Sequence, residues 1–294
     1  MSDKKSILRC INRFMILGIV LLYGKMAFAN EMLVNSLQDN KIKVGSGLSG
    51  FYNKTHNSQQ KGFDLNVRGL GVDIQSSIKD SFFMKMGYVF ADATAKNISQ
   101  KANIETDSYY VYGKYQPQKW YIAGQFNYHY ARYKDKSDFV KPKKGKTDIY
   151  QSTIISGYHF GNVHNYSGLK YTYVNADKNN NPIRSVGNGE VLTATIGTQY
   201  APTYAMNNCT SVKPMFRFAG NYDIKSNNNL TVVDMPEINT VFALDGKRLH
   251  RASLNVGAGI GLQFKQAELL ANYDVNWRIS HISQTGKVAL KYRF

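Results

Sequence analysis

The feature that most constrains this chain is a two-residue rhythm of apolar and polar side chains. Between Arg251 and Lys265, Ala252, Leu254, Val256, Ala258, Ile260, Leu262 and Phe264 alternate with Ser253, Asn255, Gly257, Gly259, Gly261 and Gln263. Successive strand side chains point to opposite faces, so this stretch has one apolar face and one small or polar face; a helix would scatter both sets. Ala267, Leu269, Ala271, Tyr273 and Val275 repeat the pattern, as do Val288, Leu290, Tyr292 and Phe294 against Lys287, Ala289, Lys291 and Arg293. Trp120, Ile122, Phe126, Tyr128 and Tyr130, and Leu192, Ala194, Ile196 and Tyr200, carry it further back.

Counting such stretches predicts twelve strands, near residues 41–53, 62–75, 82–91, 105–116, 119–132, 148–160, 165–175, 190–201, 211–223, 251–264, 267–276 and 285–294. Each is about ten residues or longer, which is membrane-crossing length for a tilted strand. The second is imperfect: Phe63, Leu65 and Val67 hold one phase and Leu70, Val72 and Ile74 the other, which predicts a bulge near Gly69.

The links between these strands alternate in length. Residues 54–61, 92–104, 133–147, 176–189, 224–250 and 277–284 form longer links; 76–81, 117–118, 161–164, 202–210 and 265–266 form shorter ones. A transmembrane barrel has short turns at one rim and longer loops at the other, with both chain ends on the short-turn side. A soluble sandwich also alternates apolar and polar residues, but has no reason for this ordering. The fold class expected is therefore all-β, a twelve-stranded antiparallel transmembrane β-barrel occupying residues 41–294.

The first residues read as a separate element. Lys4, Lys5, Arg9 and Arg13 precede an apolar run at 14–24, and small residues Ala27 and Ala29 precede Asn30. Basic, apolar and small-residue regions in that order make a secretory signal peptide over 1–29, cleaved before Asn30. Its apolar core, interrupted by Lys25, falls short of the ~20 residues of a membrane helix. Cleavage would remove Cys10 and leave Cys209 alone, so no intramolecular disulfide is expected to staple the exported chain. Residues 30–40 are a linker or plug segment, and 30–38 is the one stretch compatible with a short helix in the lumen.

In hydrocarbon an unpaired backbone group costs several kcal/mol, so the strands must close, with apolar faces outward and polar faces inward. Tyr and Trp are expected at the two interfaces. Lys43, Lys85, Lys114, Lys170, Lys213, Arg217, Arg251, Lys287, Lys291 and Arg293 are then lumen-lining charges, outnumbering Asp64, Glu268 and Asp274. An open lumen of that kind would prefer anions. Gly257, Gly259 and Gly261 fall on the inward face, where they could admit a neighbour's aromatic ring. The long fifth outer loop can pair as a hairpin over 230–244, expected at the cell surface.

Val288, Leu290, Tyr292 and Phe294 look like the C-terminal strand signal read by the barrel-assembly machinery of Gram-negative cells. The last third resembles the autotransporter β-domain: the run 251–264, a tight turn, a Tyr273-Asp274 strand and the closing run 286–294 follow that family's ending. Val212-Lys213-Pro214-Met215-Phe216 resembles its strand with an embedded proline, and Leu70-Gly71-Val72-Asp73 its early strand. The resemblance implies an outer-membrane translocator barrel. Family members carry a large passenger between leader and barrel; here only residues 30–40 stand there, a helix of roughly 16 Å at ~1.5 Å per residue. The expected function is thus an integral outer-membrane translocator with little or no passenger. A small anion-preferring pore, and a loop-based adhesin or outer-membrane enzyme, are the alternatives.

Catalytic chemistry is not expected. No Asp-x-Asp or Asp-x-His occurs, the His residues lack metal-ligand spacing, and no glycine-rich phosphate motif appears. Ser280-His281-Ile282-Ser283 has nucleophile and base types but falls in an expected loop. No cofactor or metal is expected. The expected partners are outer-membrane lipid and lipopolysaccharide, with periplasmic chaperones and the barrel-assembly machinery during biogenesis; the barrel is expected to be monomeric. The basic run 141–146 and the net charge of +17 suit an anionic lipopolysaccharide leaflet rather than nucleic acid.

Overall fold

A computed structural model describes residues 42–58, 62–78, 81–96, 101–135, 144–176, 188–207, 209–226, 230–235, 239–245 and 249–294. The leader over 1–29 and the linker over 30–40 lie outside them. The strands in chain order are β1 (Ile42–Asn57), β2 (Asp64–Ile78), β3 (Phe82–Lys96), β4 (Lys101–Tyr115), β5 (Trp120–Asp135), β6 (Lys144–Phe160), β7 (Val163–Ala176) and β8 (Gly189–Tyr200). They continue as β9 (Tyr204–Asn207), β10 (Thr210–Ser226), β11 (Leu230–Met235), β12 (Thr240–Asp245), β13 (Ala252–Gln263), β14 (Ala267–Arg278) and β15 (His281–Arg293).

Twelve of these close into an antiparallel barrel in which each strand pairs with its neighbours in order: β10 receives both β8 and β13, and β15 returns to β1. Every predicted barrel strand is present, most of them extended by a few residues toward the longer loops. The last link departs from expectation. A turn of Ile279 and Ser280 replaces the longer loop expected over 277–284, with Ser280 at φ 60°.

Closure gives every barrel strand a hydrogen-bonded neighbour on both sides, the condition for residence in lipid. The chain end is fixed as well: Phe294 N–H donates to Val44 O (2.9 Å) and Arg293 N–H to Gln266 O (2.7 Å). Pro214 sits where its missing N–H costs little, between the end of the β9 ladder at Val212 and the start of the β8 ladder at Phe216.

No bulge occurs in β2; its register runs unbroken against both β1 and β3. Phe63, Leu65 and Val67 simply point inward and are buried, whereas Leu70 points outward and is exposed. The phase change in the sequence marks a lumen that is apolar on this side. The reason lies far along the chain. β11 and β12 pair as a hairpin that folds into the barrel rather than standing at its surface, and Val233 and Phe242, directly opposed in it, join Phe63, Leu65, Val67, Ala91, Ala93, Ile104, Ala131 and Tyr133 in one buried cluster.

Candidate functional site: the occupied lumen

Two faces of the barrel wall do different work. Outward positions carry Leu48, Val111, Phe126, Ile154, Leu169, Ile196, Phe216, Val256, Ile260 and Leu290, all exposed in the isolated molecule. A band of such residues around a closed sheet is what hydrocarbon would cover. Near the outer end of this band, tyrosines on successive strands touch: Tyr88 to Tyr109 (5.2 Å between ring centroids), Tyr109 to Tyr128 (6.4 Å), Tyr128 to Tyr150 (5.3 Å) and Tyr150 to Tyr173 (6.4 Å). Outward tyrosine hydroxyls reach polar groups on the next strand: of this row Tyr88 is hydrogen-bonded to Asp107 and Tyr128 to Asp148 (2.6 Å), and beside it Tyr171 to Glu190 (3.0 Å). An apolar ring body with a polar tip is the residue type an interface selects. At the opposite end Tyr200, Phe160, Trp120 and Phe294 are exposed.

Inward positions hold most of the expected lumen charges. Lys85 pairs with Asp73 (3.0 Å), Arg217 with Asp274, and Lys291 with Glu268 (3.3 Å). Lys114 stands over the Tyr121 ring at 4.5 Å. Lys43, Lys170, Lys213 and Lys287 occupy inward strand positions in the same alternation. Arg293 does too but is exposed at the short-turn rim, and Arg251 is an exposed residue just ahead of β13. Asp64 does not line the lumen: it points outward and contacts His56 Nδ1 at 2.6 Å on the exposed side. Sequence reasoning missed three inward charges. Asp73 was hidden by the supposed bulge; Asp223 and Arg278, which pair at 2.6 Å, lay near strand ends where the alternation was cut short.

Glycines make room on this inner face. Phe51, Tyr110, Tyr121 and Tyr166 occupy the space beside the directly paired Gly69, Gly87, Gly157 and Gly197, where an added Cβ would come within 2.3–2.6 Å of the ring. This is the aromatic–glycine packing anticipated at 257–261, but located elsewhere. Gly257 and Gly259 instead accommodate Asp274 and Asn272, and Gly261 faces Leu270.

Beside the hairpin runs a polar cavity of about 350 Å³, lined among others by Gln151, Lys170, Thr195, Arg217, Asn255 and Arg278. At ~30 Å³ each it has room for about a dozen waters. The one nucleophile-and-base candidate lies on this wall: His281 and Ser283 begin β15 and face inward, both buried. Ser283 Oγ accepts hydrogen bonds from Asn53 Nδ2 (2.9 Å) and Thr55 Oγ1 (2.9 Å), which makes it part of a structural ladder. Among the described residues no cluster of His, Cys, Asp and Glu is arranged to hold a metal. Of the basic run 141–146, residues 141–143 lie outside the described residues, and Lys146 is exposed on the outer face, 6.0 Å from the Tyr130 ring.

A closed sheet with an apolar exterior, tyrosines at its interface and a charged, filled interior defines the class: a transmembrane β-barrel of the outer-membrane type. The comparisons narrow it. The family model of the autotransporter β-domain matches residues 44–274, and the chain belongs to that family. Solved translocator barrels share the fold. That of the autotransporter NalP from Neisseria meningitidis covers 95% of this chain and 97% of its own, with TM-score 0.65 and 13% identity. The Bordetella BrkA β-domain covers 86% and 100%, with TM-score 0.67 and 12% identity. The transport unit of AIDA-I from Escherichia coli covers 92% and 97%, with TM-score 0.58 and 14% identity. A comparison with curated proteins gives no match. The protein is an autotransporter translocator β-barrel, and among the described residues there is no passenger domain.

Proposed function

We propose that this chain is exported by its N-terminal leader and works as a stable, monomeric barrel in the outer membrane of a Gram-negative cell, with little or no cargo of its own. The observation that carries this reading is the closed strand ladder with its apolar exterior. Closure between β1 and β15 leaves no barrel edge for a second copy to pair with, which supports a monomer. Val288, Leu290, Tyr292 and Phe294 all face outward on the last strand, open to recognition by the assembly machinery before closure. The outward tyrosine band and the basic surface suit lipopolysaccharide as the outer leaflet. Nothing in the arrangement of His281 and Ser283 favours catalysis.

Cell fractionation tests the reading. The full chain should sediment with the outer membrane and lose its first 29 residues; a chain lacking residues 1–29 should stay in the cytoplasm. Phe294→Ser should lower the amount of assembled barrel. A mature chain that is soluble without detergent would overturn the proposal.

A further inference from the structure

The inner wall of a water-filled barrel is expected to be polar, yet one sector here is not. Leu65, Val67, Ala91, Ala93, Ile104, Ala131 and Tyr133, on adjacent strands β2 to β5, are each at most 2% exposed and face inward toward the outer rim. Side chains of that kind lining open water would oppose folding, so their burial needs an occupant. The β11–β12 hairpin supplies one. Val233, Val241 and Phe242 are at most 2% exposed although they belong to a loop, and β12 packs against β5. The hairpin also goes deep. Beside its turn, Asn239 Oδ1 accepts a hydrogen bond from Gln125 Nε2 at 2.8 Å. Gln125 lies ten residues below the outer end of β5, about 25 Å of height for a strand rising ~3.3 Å per residue and tilted ~40°.

We propose that the inner faces of β2 to β5 form a dry socket whose ligand is an apolar β-hairpin, that β11–β12 is that ligand in cis, and that the seated hairpin seals the lumen against ions. The seated hairpin reaches down to the level of Gln125, and the space left beside it is the cavity of about 350 Å³. The proposal rests on the membrane-embedded reading of the barrel and is independent of any passenger. Once the stopper is gone, the inward charges decide what passes. Lys43, Lys85, Lys114, Lys170, Lys213, Arg217, Arg278, Lys287 and Lys291 outnumber Asp73, Asp223, Glu268 and Asp274, so the unsealed barrel should prefer anions.

The test is planar-bilayer recording of the mature full-length barrel in potassium chloride, alongside two variants. One replaces residues 230–245 by a short Gly-Ser linker; the other, Val233→Asp with Phe242→Asp, keeps the hairpin but makes it incompatible with the socket. Resistance of the folded barrel to protease in vesicles establishes insertion for each protein, so failure of the membrane reading is recognised separately. The wild type is expected at the lipid baseline. Both variants are expected to show steady conductance steps, with a reversal potential in a salt gradient displaced toward that of chloride. In a Cys209→Ser background, Gln125→Cys with Asn239→Cys should be joined by a short bis-methanethiosulfonate, each cysteine displacing one methanesulfinate, in the otherwise wild-type protein but not with the paired aspartates. Equal conductance in wild type and variants, an inserted hairpin-less barrel that stays silent, or absence of the cross-link in the otherwise wild-type hairpin would each overturn the stopper.

Discussion

Placing an arginine at Ile196 tests the inside-out arrangement directly. Ile196 points outward from β8, 71% exposed in the isolated molecule, midway between Leu192 and Tyr200 on the same face. Four residues to either side correspond to about 10 Å of height at ~3.3 Å rise and ~40° tilt, which puts it near the bilayer midplane. An arginine at that depth costs about 2–4 kcal/mol, or roughly 30- to 700-fold in the folded-to-unfolded ratio. Its neighbour Thr195 faces the lumen, where Oγ1 donates to Asn221 Oδ1 at 2.7 Å. Thr195→Arg should lose only that hydrogen bond, about 1 kcal/mol, because its charge enters a hydrated cavity. Tyr200→Arg, at the interface, should cost less than about 1 kcal/mol from charge burial. Reversible guanidinium unfolding in lipid vesicles, followed by emission from the outward-facing Trp120 and Trp277, measures all three. If Thr195→Arg cost as much as Ile196→Arg or more, the assignment of faces would be wrong.

Further outcomes follow from the inner wall and the short turns. Gly87→Ala should destabilise the barrel by about 1–3 kcal/mol through overpacking against the Tyr110 ring, while Gly113→Ala, with nothing within 4 Å of its added Cβ, should leave the unfolding midpoint unchanged. Asp274→Ala should cost about 2 kcal/mol in the same titration, less than the ~3–5 kcal/mol of a fully buried pair because Arg217 keeps contact with lumen water; replacing both partners, Arg217→Met with Asp274→Leu, should recover most of the loss. Cys209 is exposed in the link between β8 and β10, on the short-turn side. A membrane-impermeant maleimide should therefore label it only after the outer membrane is permeabilised, and labelling in intact cells would invert the topology.

The strands and their faces were legible because a period of two is a local property that any ten residues display. What the sequence concealed depended on partners distant in the chain. Leu65 and Val67 looked like a phase error, since the rule that inward means polar presumes water inside; the residues that make that sector dry, Val233 and Phe242, lie more than 150 positions away. The same presumption placed the hairpin at the surface. Asp64 faces away from the lumen because Phe63, Leu65 and Val67 turn inward and set the phase of their strand opposite to what a wet lumen would demand. Gly257 and Gly259 were correctly placed on the inner face, but which side chain fills the space beside a glycine depends on register. In β13 it is Asp274 and Asn272 of the paired strand rather than an aromatic ring.

The seam between β1 and β15 runs from Gly45 opposite Arg293 to Asn57 opposite His281. It joins the first and last strands of the barrel, so the cylinder cannot shut until the final strand has left the ribosome. Until then both outermost strands present bare hydrogen-bonding edges, and each intermediate is an aggregation hazard in water. Long-range pairing of this kind is also intrinsically slow. Such a cylinder is zipped in one concluding event, and loss of even its last thirteen-residue strand would leave an open ribbon rather than a smaller tube.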